Sequence, residues 1–146
     1  IPHDAVDPVG FCFYYGNKKI SIATDLGHTN RTIINKISDS NVVVLEANHD
    51  IDMLSQGPYP APLKRRIMGT RGHLSNADAG KVAVDLVKGN VTHLLLAHLS
   101  EKNNIPRLAY DTVSDVLESE EIVVGKDVIL DMTYRDKTGN VYHIDI

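Results

Sequence analysis

Apolar positions fall into runs of two kinds along the chain. Phe11 to Tyr15 and Lys19 to Ala23 are short β-prone runs separated by Gly16-Asn17, which predicts a hairpin. Val42 to Leu45 is continuously apolar, the pattern of a strand covered on both faces, and Thr92 to Ala97 is a second buried strand. Between these runs the period changes to that of helices. Ile33, Ile34 and Ile37 share one face of a short helix over 30–37, with Thr29 or Asn30 as its cap. Ala79, Val82 and Leu86 mark a longer helix over 77–87, opened by Ser75 or Asn76 and stopped by Gly89-Asn90. Pro106 to Leu117 predicts another helix, with the proline in its first turn.

The remaining segments read less regularly. Pro58, Pro60 and Pro62 break the chain into a loop, and Leu63 to Met68 has room for one or two helical turns. Asp127 to Tyr134 and Val141 to Ile146 flank a turn at Lys137-Thr138-Gly139-Asn140 and predict a closing hairpin. Two strands, then strand, helix, strand and helix, then a hairpin describe an α/β domain whose helices cover a mainly buried sheet.

Composition narrows the class. The chain has 146 residues and 42% hydrophobic content, enough for one domain with its own core. The formal net charge of -4 argues against a nucleic-acid binder that relies on a general basic surface. It leaves open a local site where metal ions supply the positive charge. Cys12 is the only cysteine, so no disulfide can form within the chain, which suits a reducing cytoplasm. No stretch is long and apolar enough to span a bilayer, and no secretory leader is visible. The chain opens Ile1-Pro2-His3 without Met, and an upstream portion is therefore expected.

Candidate chemistry sits where strands hand over to loops. His3, Asp25, Glu46, His49, His73 and His98 combine imidazole and carboxylate, the donors that suit zinc or manganese. No compact metal motif is present, and each residue has a plainer reading. Asp25 before Leu26-Gly27 suits a turn, Glu46 a solvated strand end, and Ser75 and Asn76 helix caps. Arg65 and Arg66 suit a phosphate backbone, although the acidic balance favours a solvated helix face.

Taken in order, Pro2-His3-Asp4-Ala5-Val6-Asp7-Pro8-Val9-Gly10, Thr24-Asp25-Leu26-Gly27, Leu45-Glu46-Ala47-Asn48-His49-Asp50, Gly72-His73-Leu74-Ser75-Asn76 and Leu96-Ala97-His98-Leu99-Ser100 resemble the second half of the metallo-β-lactamase superfamily. The nearest branch is the YycJ/WalJ-type hydrolases; ribonuclease Z and the phosphodiesterases are more distant. The resemblance runs from residue 1 to about residue 118. It implies that residues 1–146 are the C-terminal half of an αββα sandwich, a mixed sheet covered by helices with a dinuclear site along one edge. His3 matches a ligand of one metal, Asp25 the carboxylate that bridges both, and His98 a ligand of the second. His73 matches the histidine beside the scissile phosphate, so His73 and Asp25 are the catalytic candidates. His49, with Ser75 and Asn76, falls in segments expected to meet substrate.

The leading His-X-His-X-Asp-His motif of that family is absent from the chain. A catalytic zinc usually takes three protein ligands of its own. Two divalent ions, zinc or manganese, are thus expected in the complete enzyme, and weak or partial occupancy in this piece, which is expected to be inactive alone. The missing N-terminal half is the first expected partner. Nucleic acid or another phosphodiester is the second, and oligomerisation through the exposed half-sandwich face a third. The implied activity is metal-dependent phosphodiester hydrolysis, as a nucleic-acid exonuclease. The alternatives are a small-molecule ester or cyclic phosphodiester hydrolase, and a half-domain without catalysis.

Overall fold

A computed structural model describes residues 1–145. Its framework is a five-stranded mixed sheet in which spatial order follows chain order. Strands β1 (Phe11–Tyr15) and β2 (Lys18–Ala23) form the expected antiparallel hairpin. Gly16, at φ 56°, takes the left-handed conformation that a two-residue hairpin loop requires. From β2 onward the sheet is parallel, through β3 (Val42–Glu46), β4 (His93–Ala97) and β5 (Ile129–Met132).

Each parallel step needs a crossover, and the crossovers carry the helices. Helix α1 (Arg31–Ile37), capped by the Asn30 side chain, joins β2 to β3. Helices α2 (Ile51–Gln56), α3 (Ala61–Met68) and α4 (Asn76–Lys88) lie between β3 and β4. Helix α5 (Pro106–Ser119) leads from β4 towards β5. Successive strands add in one direction, so right-handed crossovers bring the helices to one face of the sheet. Ala23, Val43, Leu45, Leu94, Leu96, Leu130 and Met132 point to that face and pack with Ile34, Val82, Leu86, Ala109, Val113 and Leu117 in a single core.

Three expectations need correction. The chain covers the outer face of β3 and β4 only in part, burying Val42 there at 6% exposure. On the face away from the core cluster, Val44 and Leu95 are half-buried, while Phe11, Phe13, Ile20 and Ile129 are 54%, 55%, 43% and 37% exposed. An apolar sheet face of this extent is unusual on a free surface. The closing hairpin is also absent among the described residues. β5 pairs in parallel with β4, and 141–145 form no strand; Ile146 lies outside the described residues. Tyr142 instead turns back to Asp131 and packs edge-on to His93, 5.2 Å between ring centroids. Finally, the segment after Glu46, which shows no helical period in sequence, contains α2. Asp50 caps it by accepting from the Met53 amide at 2.9 Å.

No helix among the described residues is long and apolar enough to cross a membrane. Cys12 is half-buried, with its Sγ 3.3 Å from Ser21 Oγ.

Candidate metal centre

The parallel strands β2, β3 and β4 end along one edge, and their register decides what meets there. Ala23 lies opposite Leu45, and Glu46 opposite Ala97. Asp25 follows β2, Glu46 ends β3 and His98 follows β4, so three residues distant in sequence arrive at one rim. His73 joins them from the turn before α4, where its amide donates to Ile67 O at 3.0 Å. Asp25, Glu46, His73 and His98 each offer a ligand atom within 4.8 Å of the others.

Backbone geometry marks two of these four. Asp25 and His98 have φ of 57° and 59°, in the left-handed region that non-glycine residues seldom occupy. Such conformations cost about 1–3 kcal/mol and persist where the surroundings hold them. Here the surroundings aim both side chains at one point. Replacing Asp25 by glycine is therefore expected to raise stability by about 1 kcal/mol, or about 2–4 °C in melting temperature, while weakening divalent-cation binding. Melting curves with and without Mn²⁺ check this; a lower melting temperature than wild type without cation contradicts it.

Glu46 is the hub. Its side chain is 0% exposed and both oxygens are engaged. Oε2 accepts from the amides of Leu26 and Leu74, each at 3.1 Å. Oε1 accepts from His73 Nδ1 at 2.8 Å and His98 Nδ1 at 2.6 Å. Burial pushes the Glu46 carboxyl up, but the bonds from His73 and His98 outweigh it and bring it down to about 2. The bond to Glu46 raises the His98 imidazole above its ordinary range, against burial. A carboxylate offers about four lone-pair sites, and Glu46 uses all of them on protein donors. Glu46 thus orients the two rings rather than offering an oxygen to an ion. With Nδ1 of each ring turned to Glu46, Nε2 is the nitrogen left for an ion or substrate.

Asp25 has its carboxylate free for that purpose. Its Oδ1 lies 3.5 Å from His98 Nδ1, 3.8 Å from His73 Nδ1 and 3.9 Å from His3 Nε2. His3 stands just outside the tightest group, with its ring 5.0 Å from that of His73. Its Nδ1 is 2.8 Å from Gly72 O, and a carbonyl only accepts, so Nδ1 carries the proton and Nε2 the lone pair. The Asp25 carboxylate with the imidazoles of His3 and His98, backed by Glu46, suits a divalent transition-metal ion by donor chemistry.

Loop contacts hold the rim together. The Gly27 amide donates to Pro2 O at 2.8 Å, tying the Asp25 turn to the His3 segment. A Cβ on Gly27 would stand 2.4 Å from Thr70 O and 2.5 Å from Gly72 N, so only glycine lets the two turns meet. Gly27→Ala is expected to cost about 1–3 kcal/mol and to weaken cation binding, because it parts Asp25 from His73. Urea midpoints and cation titration check this; wild-type values for both contradict it.

The three residues expected to meet substrate are buried. His49 is buried, its Nδ1 3.3 Å from Asn48 Oδ1, and burial together with the nearby His73 lowers its pKa. Ser75 is buried and caps α4 through the Asp78 amide. Asn76 is buried against Asn104, the two amides exchanging bonds of 2.9 Å, while Asn104 also donates to Ala47 O. These contacts brace the rim from beneath. Asn48 lines the open cleft above it, together with His73 and His98. Arg66 lines the same cleft and is bound to Asp4, whose carboxyl it holds down at about 2.

No protein-family model matches the chain. The chain is 39% identical over 126 residues to exodeoxyribonuclease YycJ of Bacillus anthracis, which covers 86% of the chain and 48% of that relative. It is 33% identical over 127 residues to exodeoxyribonuclease WalJ of Streptococcus pneumoniae serotype 2 strain D39, covering 87% of the chain and 47% of that relative. The chain thus spans about half the length of the curated relatives it matches. Over most of its own length the chain is similar to proteins named YycJ and WalJ.

Proposed function

We propose that the protein carrying this chain is a divalent-metal-dependent exodeoxyribonuclease on a metallo-β-lactamase-type scaffold, and that residues 1–146 are its C-terminal half. The convergence of Asp25, His73 and His98 around the buried Glu46 carries this reading. The names of the relatives support the substrate class, and their greater length supports a second half. The exposed apolar face of the sheet is the surface that such a half would bury.

On this reading the Asp25 carboxylate, His98 Nε2 and His3 Nε2 hold the cations. The upstream half supplies the remaining ligands, since three donors shared between two ions bind weakly. When bound, the cations supply Lewis acidity at the phosphate and at the attacking water. The chain's own contribution to the reaction is His73. Glu46 fixes its Nδ1 at 2.8 Å, which leaves Nε2 to donate a proton to the departing oxygen or a hydrogen bond to the phosphate. Glu46 remains ionised throughout and stabilises the charged imidazole.

The test uses the purified full-length protein with Mn²⁺ or Zn²⁺. End-labelled single- and double-stranded DNA, RNA, bis(p-nitrophenyl) phosphate and a thioester are offered in parallel. Release of mononucleotides from DNA ends, abolished by chelator, is the expected result. Hydrolysis of the thioester alone, or DNA hydrolysis that survives chelation, would overturn the reading.

A further inference from the structure

Two hollows meet at His98. One, of about 410 Å³, is lined by Tyr59, Arg66, His73, Lys102 and Arg135 besides His98. The other, of about 560 Å³, is lined by Tyr134, Thr133, Ile105 and Arg135 besides His98. His98, Ser100, Glu101 and Arg135 border both, so the hollows form one groove with the histidine rim near its middle. Each is large enough for a small organic ligand.

The chemistry of the groove is specific in kind. Each hollow has one tyrosine, Tyr59 in the first and Tyr134 in the second. The Tyr134 ring carries Lys137 Nζ 4.3 Å from its centroid, and the residue is 38% exposed. Arg135 stands at the junction, held by Glu101 Oε2 at 2.9 Å and by Leu99 O at 3.4 Å. Arg66 borders the first hollow, with Nε and Nη2 held by Asp4. Each guanidinium has five donors, so both keep donors free while their positions are set by neighbours. Arg65, its neighbour on α3, does not line either hollow. Arg66, Lys102 and Arg135 set cationic points along the groove, alongside the carboxylates of Glu101 and Asp136, in a chain whose net charge is -4.

Resting on the nuclease reading, we infer that this groove binds two consecutive deoxynucleotides, one on each side of the phosphate at His98. Tyr59 and Tyr134 take the two bases by stacking, and Arg135 and Arg66 take backbone phosphates. Stacking on a tyrosine tolerates any base, so the groove reads a strand and not a sequence. It also requires the two nucleotides to be unstacked from each other, because the rim lies between them.

The experiment measures binding apart from turnover. Fluorescein-labelled oligothymidylate of six nucleotides is titrated with the full-length protein in chelator, and anisotropy is followed at several salt concentrations. Arg135→Gln and Arg66→Gln are each expected to weaken binding about tenfold and to lower the salt slope by about 0.7. Tyr59→Ala and Tyr134→Ala are each expected to weaken it by about tenfold, with Tyr59→Phe close to wild type. Arg65→Gln is expected to bind as wild type. Absence of binding by the wild type, unchanged binding by the Arg135 and Arg66 variants, or equal losses from Arg65→Gln would overturn the inference. Hydrolysis by the same proteins with Mn²⁺ separates the two readings: intact, groove-dependent binding without hydrolysis removes the nuclease assignment and leaves the groove standing.

Discussion

Replacing Glu46 by alanine is expected to remove about 3–5 kcal/mol of stability, a large share of the roughly 5–15 kcal/mol that holds a domain together. The size follows from what the carboxylate satisfies. Its loss orphans the amides of Leu26 and Leu74, and it strips His73 and His98 of the acceptor that fixes their rings. Glu46→Gln is the sharper variant. The glutamine oxygen can still accept from the two amides, while its NH₂ faces the histidines and turns their Nδ1 atoms into acceptors. The protons then move to Nε2, and neither Nε2 retains a lone pair for a cation. Glu46→Gln is therefore expected to fold with a smaller loss of stability and to weaken cation affinity by roughly 10–100-fold.

The same pair sets a pH dependence in the cation-free protein. The Glu46 carboxyl falls from 4.5 to about 2 on folding, so its contribution is complete above 4.5 and is lost as pH drops towards 2. His98 is raised above 6.5, so its contribution is complete below 6.5 and is lost as pH rises through the raised value. Stability from this pair is greatest between those two limits. Urea midpoints across pH check it, and Glu46→Gln is expected to flatten the acid side. An acid side unchanged in Glu46→Gln would show that other carboxylates govern it.

His73→Ala is expected to lower turnover by roughly 10²–10⁴-fold in the full-length enzyme while leaving its metal content intact. The reason is the division of labour at the rim. Glu46 holds both His73 and His98, but only Asp25 and His98 carry the left-handed backbone that turns them to the rim, whereas His73 arrives on the turn before α4. Removing His73 leaves the Asp25 carboxylate and both other imidazoles in place. The fall is expected in kcat, with KM for DNA changed little, because the proton is moved in the transition state. Asp25→Ala is expected to do the opposite and empty the site. Loss of metal from His73→Ala would make His73 a ligand and end its role as proton donor.

Much of this architecture is legible in the residues, and the parts that are not share a cause. The helix over Asn76–Lys88 is announced by Ser75, by the spacing of Ala79, Val82 and Leu86, and by Gly89, all of them local signals. Helix α2 has only six residues, too few for a period to show, and Asp50 is its one clear mark. The C-terminal hairpin does not form among the described residues because β5 reaches its partner β4 across the whole of α5, a long-range choice that local pattern does not contain. Strand β3 is buried along most of its length, as its continuous apolar run predicts, and the exposure on that outer face falls on Ile20 of β2 and Ile129 of β5.

The site divides along the same line. That Asp25, His73 and His98 belong together was legible only through the ordered resemblance, since no spacing among them is compact. Glu46 reads from the sequence as a candidate metal donor or a solvated strand end, and the structure buries it completely. A carboxylate at the end of an otherwise apolar strand had a signal to offer: if buried it must be paired, and histidines are the fitting partners. His49, Ser75 and Asn76 were placed near substrate because they flank the motifs. In the structure all three are buried, His49 against the Asn48 side chain, Ser75 on the Asp78 amide and Asn76 on Asn104.

The central claim is that Asp25, His98 and His3 hold divalent cations at this rim. Anomalous diffraction from crystals of the full-length protein grown with Mn²⁺ tests it most directly. Anomalous peaks beside the Asp25 carboxylate, with Nε2 of His98 and of His3 in the coordination sphere, are the expected result. Density for Mn²⁺ only at other places in the protein, or an empty rim at saturating cation, would contradict it.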